Sequence, residues 1–333
     1  MPASVRRTAL ILLAFAGALA FAGAAAASYG NGGVTPLNAG TPGATGIAHA
    51  YDLIAGITFA IFLLVEGLLI TFVVRYRRRR RARTEEGPQI HGSTKLELMW
   101  TVVPVILLAT VVTFVLVTLP SIQNVPPANA AGGRLNITVE GHQFYWLFRY
   151  PNGAISIDRM VAPADTNVDL TVVSPDVNHS WWVPALGGKI DAIPGRVNHT
   201  WFRAPHIGSY FGQCAELCGV QHAAMTAEVD VVSKSAYRDY VAHQLSLLRS
   251  TSPKLGKEMF VGVCEKCHRL SGPPFIGPSL GGSPLLTDEA TITDIVHNGR
   301  RQMPAVGIGW SKQAIAALVA YTKTLAGGGA GGG

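Results

Sequence analysis

The chain has 333 residues, and 27 Lys and Arg against 20 Asp and Glu give it a formal net charge of +7. This basic balance does not indicate nucleic-acid binding, because it arises from one run of arginines and the remainder is close to neutral. The run contains seven arginines: Arg75, Arg77, Arg78, Arg79, Arg80, Arg81 and Arg83. A signal that orients membrane spans explains the charge more simply.

The N-terminus has the pattern of a secretory signal peptide. Two arginines precede an apolar run from Ala9 to Phe21, and small residues lead up to Ala27. The apolar run is too short to span a bilayer comfortably. Residues 1–27 are therefore predicted to be a signal peptide cleaved near Ala27, with an uncleaved anchor as the alternative. Residues 28–50 would then form an external N-terminal segment.

Two long apolar stretches follow, and residues 51–119 are predicted to form a transmembrane hairpin. Leu53 to Val74 and Leu98 to Leu119 are each long enough, at about 1.5 Å per residue, to cross a hydrocarbon core of roughly 30 Å. The positive-inside rule places the arginine run between them in the cytoplasm, where it would also contact anionic lipid. The rest of the chain then lies outside the membrane. Glu66, inside the first span, is interpreted as a polar contact with a partner helix, with a protonated packing residue as the alternative.

From Arg134 to Val232 the chain consists of short β-type runs separated by turn residues, which predicts a β-sandwich. Residues 214–225 place two thiols, an imidazole and a thioether within twelve residues. Thiolate and thioether are soft ligands that suit copper, whereas a zinc site is normally closed by Cys and His alone. Met225 is therefore the residue that distinguishes copper from zinc.

The cysteines of this segment, Cys214 and Cys218, can bridge two copper ions through both sulfurs, which favours fast electron transfer. Because His222 and Met225 cannot complete the coordination of two coppers, an upstream ligand is needed, and His179 is the candidate. The order His, Cys, His, Met is that of blue-copper proteins on a β-sandwich, so residues 134–232 are predicted to be a cupredoxin-like sandwich. The alternatives are a zinc site, a structural disulfide, and a copper chaperone of the Sco type, whose thioredoxin-like fold would require a helix after the cysteines.

Residues 233–252 are predicted to be a linker, a semi-rigid helical arm with a loose end that raises the effective concentration of the domain beyond it. Residues 253–326 are predicted to be a small all-α domain, with helices near Asp288 to His297 and Lys312 to Leu325. Residues 327–333 form a Gly-rich tail that is predicted to be disordered.

The last domain, residues 253–326, contains the C-x-x-C-H signature of covalent haem c attachment and is therefore predicted to be a class I cytochrome c domain. Cys264 and Cys267 would add to the haem vinyl groups, and His268 would be the proximal iron ligand. Met303 is the only methionine after this signature and is the predicted sixth ligand, with His297 as the competitor. All four cysteines are then assigned. In bacteria, both haem attachment and copper assembly of this type occur on the outer face of the membrane.

The metal-binding residues resemble those of subunit II of the haem-copper oxidases. The dinuclear copper A motif of that family, H…C-x-E-x-C-x-x-x-H-x-x-M, is filled at every position by His179, Cys214, Glu216, Cys218, His222 and Met225. The resemblance implies that the backbone carbonyl of Glu216 binds copper and that its side chain reaches a magnesium ion shared with subunit I. Residues 189–196 are similar to the loop that faces subunit I, so Asp191 and Arg196 would help organise that magnesium site. The alternative is a Pro-Gly turn held by an ion pair.

Two further positions bear on this resemblance. Glu97, followed by Trp100, Thr101 and Pro104, is similar to the family's glutamate at the mouth of a proton channel into subunit I. Phe144 departs from the family pattern, because many members have at this position the tryptophan that accepts electrons from a separate cytochrome c.

The two domains carry opposite net charges, −3 for residues 134–232 and +3 for residues 253–326. Opposite charges favour docking between the domains and so an internal electron donor.

The resemblance implies the electron-input subunit of a cytochrome c oxidase, a multi-pass protein of the bacterial plasma membrane. Its cofactors would be covalent haem c, dinuclear copper A and a shared magnesium ion. Electrons would pass from haem c to copper and on to subunit I, which would reduce oxygen and couple this to proton pumping. The implied partners are subunits I and III, the lipid bilayer, and a cytochrome c or a quinol-cytochrome c reductase as donor. The alternatives are the corresponding subunit of a copper A-type nitric oxide reductase and a membrane-anchored electron-transfer protein without an oxidase partner.

Overall fold

The computed structural model describes residues 38–76, 89, 91–125 and 133–327. The predicted signal peptide, most of the arginine run and nearly all of the Gly-rich tail lie outside these residues. The chain divides into two compact units. One comprises residues 46–124, and the other contains residues 125–333 together with the segment before residue 46.

The first unit consists of two long helices, α1 (Pro42–Tyr76) and α2 (Thr94–Gln123). Both are long and apolar enough to cross a membrane, with mean hydropathies of 2.6 and 2.8 over their most apolar windows. Each runs beyond its predicted span. Helix α1 begins at Pro42 rather than Leu53 because the Thr41 hydroxyl accepts a hydrogen bond from the amide of Ala44 at 3.0 Å. This N-cap, followed by proline at the first helical position, starts the helix ahead of the apolar run.

The second unit contains the predicted β-sandwich. Among the described residues, ten strands form two five-stranded sheets in the orders β3-β2-β1-β5-β8 and β4-β10-β9-β6-β7. The strands are β1 (Arg134–His142), β2 (Tyr145–Arg149), β3 (Ile155–Ile157), β4 (Arg159–Pro163), β5 (Asn167–Val173), β6 (His179–Trp182), β7 (Ile190–Ala192), β8 (Asn198–Phe202), β9 (Gly208–Cys214) and β10 (Thr226–Val232). Strands β1 and β5, and likewise β4 and β10, pair in parallel.

Aromatic side chains fill the space between the two sheets. The rings of Trp146 and Phe148 both meet Trp181 edge to face, with centroids 5.1 and 5.5 Å apart. These are preferred aromatic geometries, and all three side chains are buried. Trp146 and Trp181 therefore form part of the core between the two sheets.

The C-terminal helices are α3 (Lys234–Arg249), α4 (Pro253–Met259), α5 (Glu289–Asn298) and α6 (Lys312–Gly327), with a short π-helical turn at Phe260–Cys264. Helix α3 occupies the predicted linker, but it is packed rather than loose. Its Tyr237 and Tyr240 rings lie 6.3 and 6.1 Å from the ring of Tyr150 in the sandwich. At its other end, Leu247 is buried in the core of the helical domain. The expectation of a tether with a free end is wrong, because this helix has apolar contacts on both domains.

Strand β2 joins the sandwich to the helical domain. Successive side chains of a strand point to opposite faces, so Trp146 and Phe148 enter the sandwich core while Tyr145 and Leu147 point outward. The outward pair is nevertheless fully buried, because it belongs to the same hydrophobic cluster as Phe260 and other residues of the helical domain. The two domains therefore share one continuous apolar interface.

Candidate metal centre

The predicted copper ligands converge at one end of the sandwich. His179 begins β6, Cys214 ends β9, and the other ligand candidates lie between β9 and the start of β10. The two sulfurs of Cys214 and Cys218 are 3.9 Å apart, well beyond the roughly 2.05 Å of a disulfide bond. Nδ1 of His179 lies 3.9 Å from the first sulfur, and Nδ1 of His222 lies 3.7 Å from the second.

The remaining two donors of the motif also face the sulfur pair. The thioether sulfur of Met225 is 3.8 Å from Sγ of Cys218. The backbone carbonyl oxygen of Glu216 is 3.2 Å from Sγ of Cys214. Two thiols, two imidazoles and a thioether are thus gathered with one carbonyl oxygen around the sulfur pair, and the five soft or borderline donors are of the kinds that copper prefers. The residues present fit the metal that the motif implies.

Backbone hydrogen bonds and glycines give the ligand loop its shape. The amide of Cys214 donates to the carbonyl of Met225 at 2.8 Å, which closes the loop at its two ends. Gly219 has a φ of +135°, a conformation open to glycine and strained for other residues. Gly141 lies under the ring of His179, where a Cβ atom would come within 2.9 Å of the imidazole.

Asp176 also belongs to the site, because its carboxylate contacts the ring of His179, and its position was not predicted from the sequence. Its Oδ1 atom lies 2.9 Å from Nε2 of His179, so that Nδ1 is the nitrogen facing the thiols. The carboxylate is itself held by the amides of Gln143 at 2.7 Å and Val177 at 2.6 Å. A carboxylate that fixes the ring of a metal-binding histidine is a common feature of metal sites. Its position three residues before the histidine was the available signal.

Electrostatics at this site separate the two thiols and favour a protonated imidazole at His179 in the metal-free protein. Burial lowers the pKa of His179, but its hydrogen bonds to Asp176 and Cys214 outweigh burial, and the pKa lies above its ordinary value. The pKa of Cys214 lies well below its usual range, first because Cys218 donates a hydrogen bond to it and also because His179 lies beside it. The same pairing raises the pKa of Cys218, so a metal ion that binds both sulfurs and His179 must displace protons from Cys218 and His179.

The haem-attachment segment has the local geometry that its motif predicts. The amides of Cys267 and His268 both donate to the carbonyl of Cys264, at 3.1 and 2.8 Å. Nδ1 of His268 is 2.8 Å from the carbonyl oxygen of Pro278, which leaves Nε2 as the nitrogen available to an iron. Gly277 packs against the imidazole, where a Cβ atom would come within 2.4 Å of the ring.

The candidates for the sixth haem ligand lie in different settings. Met303 forms an isolated bridge with Arg300 and packs against the core of the helical domain. His297 lies at the C-terminal end of α5 and is half-buried.

The two thiols of the haem-attachment segment have raised pKa values. Burial raises the pKa of the Cys264 thiol to about 12 and also raises that of Cys267.

The residues implied at the interface with subunit I are largely exposed. Glu216 is exposed, and Asp191 lies 3.8 Å from Lys189, with nearly half of its side chain accessible. The predicted Pro-Gly turn is present, since the amide of Arg196 donates to the carbonyl of Ile193 at 3.0 Å. The ion pair of Asp191 is with Lys189 and not with Arg196. Glu97 lies in the first turn of α2 and is exposed.

Comparisons with known proteins agree with this geometry. Residues 154–232 match the family model "Cytochrome C oxidase subunit II, periplasmic domain", and residues 32–123 match its transmembrane domain. Residues 251–321 match "Cytochrome C oxidase, cbb3-type, subunit III". A probable cytochrome c oxidase subunit 2 from Rickettsia bellii is 34% identical over 215 residues, which cover 58% of this chain and 77% of the relative. The chain belongs to the cytochrome c oxidase subunit II family.

Other relatives carry the same name. The cytochrome c oxidase subunit 2 of Alkalihalophilus pseudofirmus is 34% identical over 233 residues, covering 66% of this chain and 64% of the relative, slightly less than two thirds of its length. The crystal structure of the periplasmic domain of subunit II from Bradyrhizobium japonicum is 34% identical, with a TM-score of 0.34, and covers 37% of this chain and 98% of that domain.

Membership of the subunit II family confirms several expectations. The chain is a membrane protein with a periplasmic domain, a cupredoxin-like sandwich and a C-terminal cytochrome c domain. The family and the cytochrome c domain imply copper and haem c as cofactors. His179, Cys214 and Cys218 form a buried group that could hold a metal ion, which agrees with the copper assignment.

Proposed function

We propose that this subunit II is the electron-input subunit of a terminal respiratory oxidase. It would hold haem c at Cys264, Cys267 and His268, with Met303 as the sixth ligand, and dinuclear copper A at the six residues of the motif. Electrons would pass from haem c to copper and then to the oxygen-reducing site of subunit I, with proton pumping. The observation that carries this proposal is the convergence of six donor groups around a sulfur pair 3.9 Å apart.

The residues around the copper position have separate tasks in this proposal. Cys214 and Cys218 supply the bridging sulfurs, and the low pKa of Cys214 provides a thiolate for metal binding. Asp176 holds the ring of His179, and Met225 closes the site with a fully buried thioether. Copper and haem c, when bound, supply the one-electron chemistry. Rigid, buried ligands suit this chemistry because little rearrangement accompanies a change of charge.

The packing of the two domains supports haem c as the internal donor. Tyr145 and Leu147 of the sandwich are fully buried against the helical domain, and α3 packs on both domains. A donor held in this way does not need to find copper by diffusion. The soluble or membrane cytochrome c, or quinol-cytochrome c reductase, that reduces the complex would then deliver its electron to haem c.

The remaining partners follow from the residues that face outward. Exposed Glu216 and Asp191 are proposed to share a magnesium ion with subunit I, and Glu97 to lie at the mouth of a proton channel in that subunit. Helices α1 and α2 are proposed to cross the bacterial plasma membrane as a hairpin and to contact subunits I and III. Both redox domains would then lie on the outer face.

The experiment that tests this function is purification of the complex that contains the chain. Its consumption of oxygen and of nitric oxide is measured with reduced cytochrome c as donor. Oxygen reduction, together with one haem c and two coppers per chain, is the expected result. Turnover of nitric oxide alone would assign the chain to a copper A-type nitric oxide reductase instead. Isolation of the chain without a catalytic subunit would indicate a free-standing electron-transfer protein.

A further inference from the structure

Lys266 lies between the two haem-attachment cysteines, and its side chain leaves the helical domain to enter the copper domain. Its ammonium group pairs with the carboxylate of Asp158 and donates to the carbonyl oxygen of Phe144 at 2.8 Å. Only 13% of the lysine side chain and 22% of the aspartate side chain are exposed. A charged pair withdrawn from water in this way requires accurate geometry, because both groups lose hydration.

Hydrogen bonds within the sandwich hold Asp158 in place independently of its ion pair with Lys266. Its backbone has a φ of +56°, a left-handed conformation that aspartate tolerates better than most residues. Its Oδ1 atom accepts the amide of Trp146 at 2.8 Å, and its own amide donates to the carbonyl of Trp146 at 2.8 Å. Its carbonyl accepts the amide of Glu228 at 2.8 Å. The carboxylate therefore presents its other oxygen from a rigid corner of the sandwich.

The same lysine also touches the copper loop through its backbone. The carbonyl oxygen of Lys266 accepts a hydrogen bond from the side-chain amide of Gln221. Gln221 immediately precedes the copper ligand candidate His222. One residue of the haem-attachment segment is thus bonded both to a rigid carboxylate and to the loop that carries a copper ligand.

A second group of contacts anchors the loop that follows Met303. The hydroxyl of Tyr145 donates to the carbonyl of Val306 at 2.5 Å and accepts from the indole nitrogen of Trp310 at 2.9 Å. The guanidinium of Arg149 donates to the carbonyl of Gly309 at 3.0 Å. Both ligand-bearing segments of the helical domain are therefore attached to the edge of the sandwich formed by strand β2 and its flanking residues.

We propose that Lys266 is a positioning residue for electron transfer from haem c to copper. Its ion pair with Asp158 holds the haem-attachment segment against Gln221 and the copper loop, so that the donor stays docked through every turnover. This inference rests on the proposed function, since it assumes that haem c is the donor to copper. In this arrangement Phe144 contributes through its backbone, because its carbonyl oxygen accepts a hydrogen bond from the ammonium group of Lys266.

The test uses the full chain in its assembled complex, with Lys266→Met, Asp158→Asn and the double variant. Lys257→Met is the matched control, because it removes the same charge from an exposed lysine of the same domain. A photoexcited ruthenium complex reduces haem c, and the transfer to copper is followed by the absorption of both centres. Hydrogen-deuterium exchange of residues 142–149 and 264–268 provides a readout that does not depend on turnover.

Lys266→Met is expected to slow the haem-to-copper step by roughly tenfold or more and to lower the exchange protection of both segments. The double variant should not be slower than Lys266→Met, because it removes the buried carboxylate charge that the single variant leaves unpaired. Asp158→Asn lies outside the haem-attachment segment, so it gives the same test if Lys266→Met fails to load haem.

Two outcomes of this test distinguish a failure of the positioning role from a failure of the proposed function. If haem c reduces copper in the unsubstituted protein and the rates and protection of Lys266→Met and Asp158→Asn equal those of Lys257→Met, the positioning role is overturned while the proposed function stands. If haem c does not reduce copper even in the unsubstituted protein, the proposed function itself fails.

Discussion

The carboxylate of Asp176 lies 2.9 Å from Nε2 of His179 and turns the other ring nitrogen toward the thiol of Cys214. Partners of this kind tune both the orientation and the basicity of a metal-binding histidine. We therefore expect Asp176→Ala to weaken copper binding roughly 10- to 100-fold. Competition with a copper chelator measures this effect. The exposed Asp239 on α3 provides the control, since Asp239→Ala should leave copper retention unchanged. Equal retention in both variants would show that Asp176 has no part in the site.

Met225 tests whether the site is built for copper. Its side chain is fully buried, and its sulfur faces Cys218. Replacement by leucine keeps the volume, so Met225→Leu should cost less than about 1.5 kcal/mol of stability. The visible and electron paramagnetic resonance spectra of the copper centre should nevertheless change, because a thioether ligand is lost. An unchanged copper spectrum would make Met225 a core residue and not a copper ligand.

The sixth haem ligand is testable by a paired substitution. A His/Met haem has a sulfur-to-iron charge-transfer band in its ferric state, and Met303→Ala should abolish it. His297→Ala is the matched control and should retain the band. Absence of the band from the unsubstituted protein, or its persistence in Met303→Ala, would overturn the assignment to Met303.

The titration of Asp158 has a predictable direction. Burial raises its pKa to about 6, although the ammonium of Lys266 opposes that rise. Since the folded pKa lies above the ordinary value of 3.8, the contribution of Asp158 to stability is fully present below about pH 4 and is lost as the pH rises through 6. Infrared difference spectra should show its carboxylic acid band disappear over this interval. Lys266→Met should move the titration to higher pH, and a shift to lower pH would contradict the arrangement.

Glu97 tests the proposed contact with a proton channel. The residue is exposed in the first turn of α2, far in sequence from every proposed metal ligand. Glu97→Ala should slow oxygen consumption by the complex while the spectra of haem c and copper stay unchanged. Glu97→Gln is the matched variant, because it keeps the size and removes only the acid. An unaltered turnover rate in both variants would reject the role.

The sequence alone was enough to predict the copper-ligand candidates, because they lie in one short segment with a distinctive order, and His179 completes a known pattern. The two apolar helices and the haem-attachment motif could be predicted equally well, since each depends on local spacing. The structure brings all six copper-ligand candidates together as expected. Asp176 was missed because its position three residues before His179 is a weak signal, and only the fold shows that its carboxylate meets the imidazole.

The relation between the two redox domains could not be predicted from local patterns. The linker looks like a tether because its helix ends in Ser-Thr-Ser-Pro, yet Tyr240 and Leu247 bind it to both domains. The bonds from Tyr145 to Val306 and from Lys266 to Asp158 join residues more than 100 positions apart. Charge totals favoured docking but did not identify its residues. Phe144 stood out as a departure from the family, and only the structure shows its carbonyl bonded to Lys266.

Haem c is proposed to be the immediate electron donor to copper in this subunit. Injection of a single electron into haem c of the purified complex, with both centres followed in time, tests this proposal. Haem c should be reoxidised as copper is reduced, at a rate no slower than turnover with oxygen. A haem c that stays reduced while external cytochrome c reduces copper directly would contradict it.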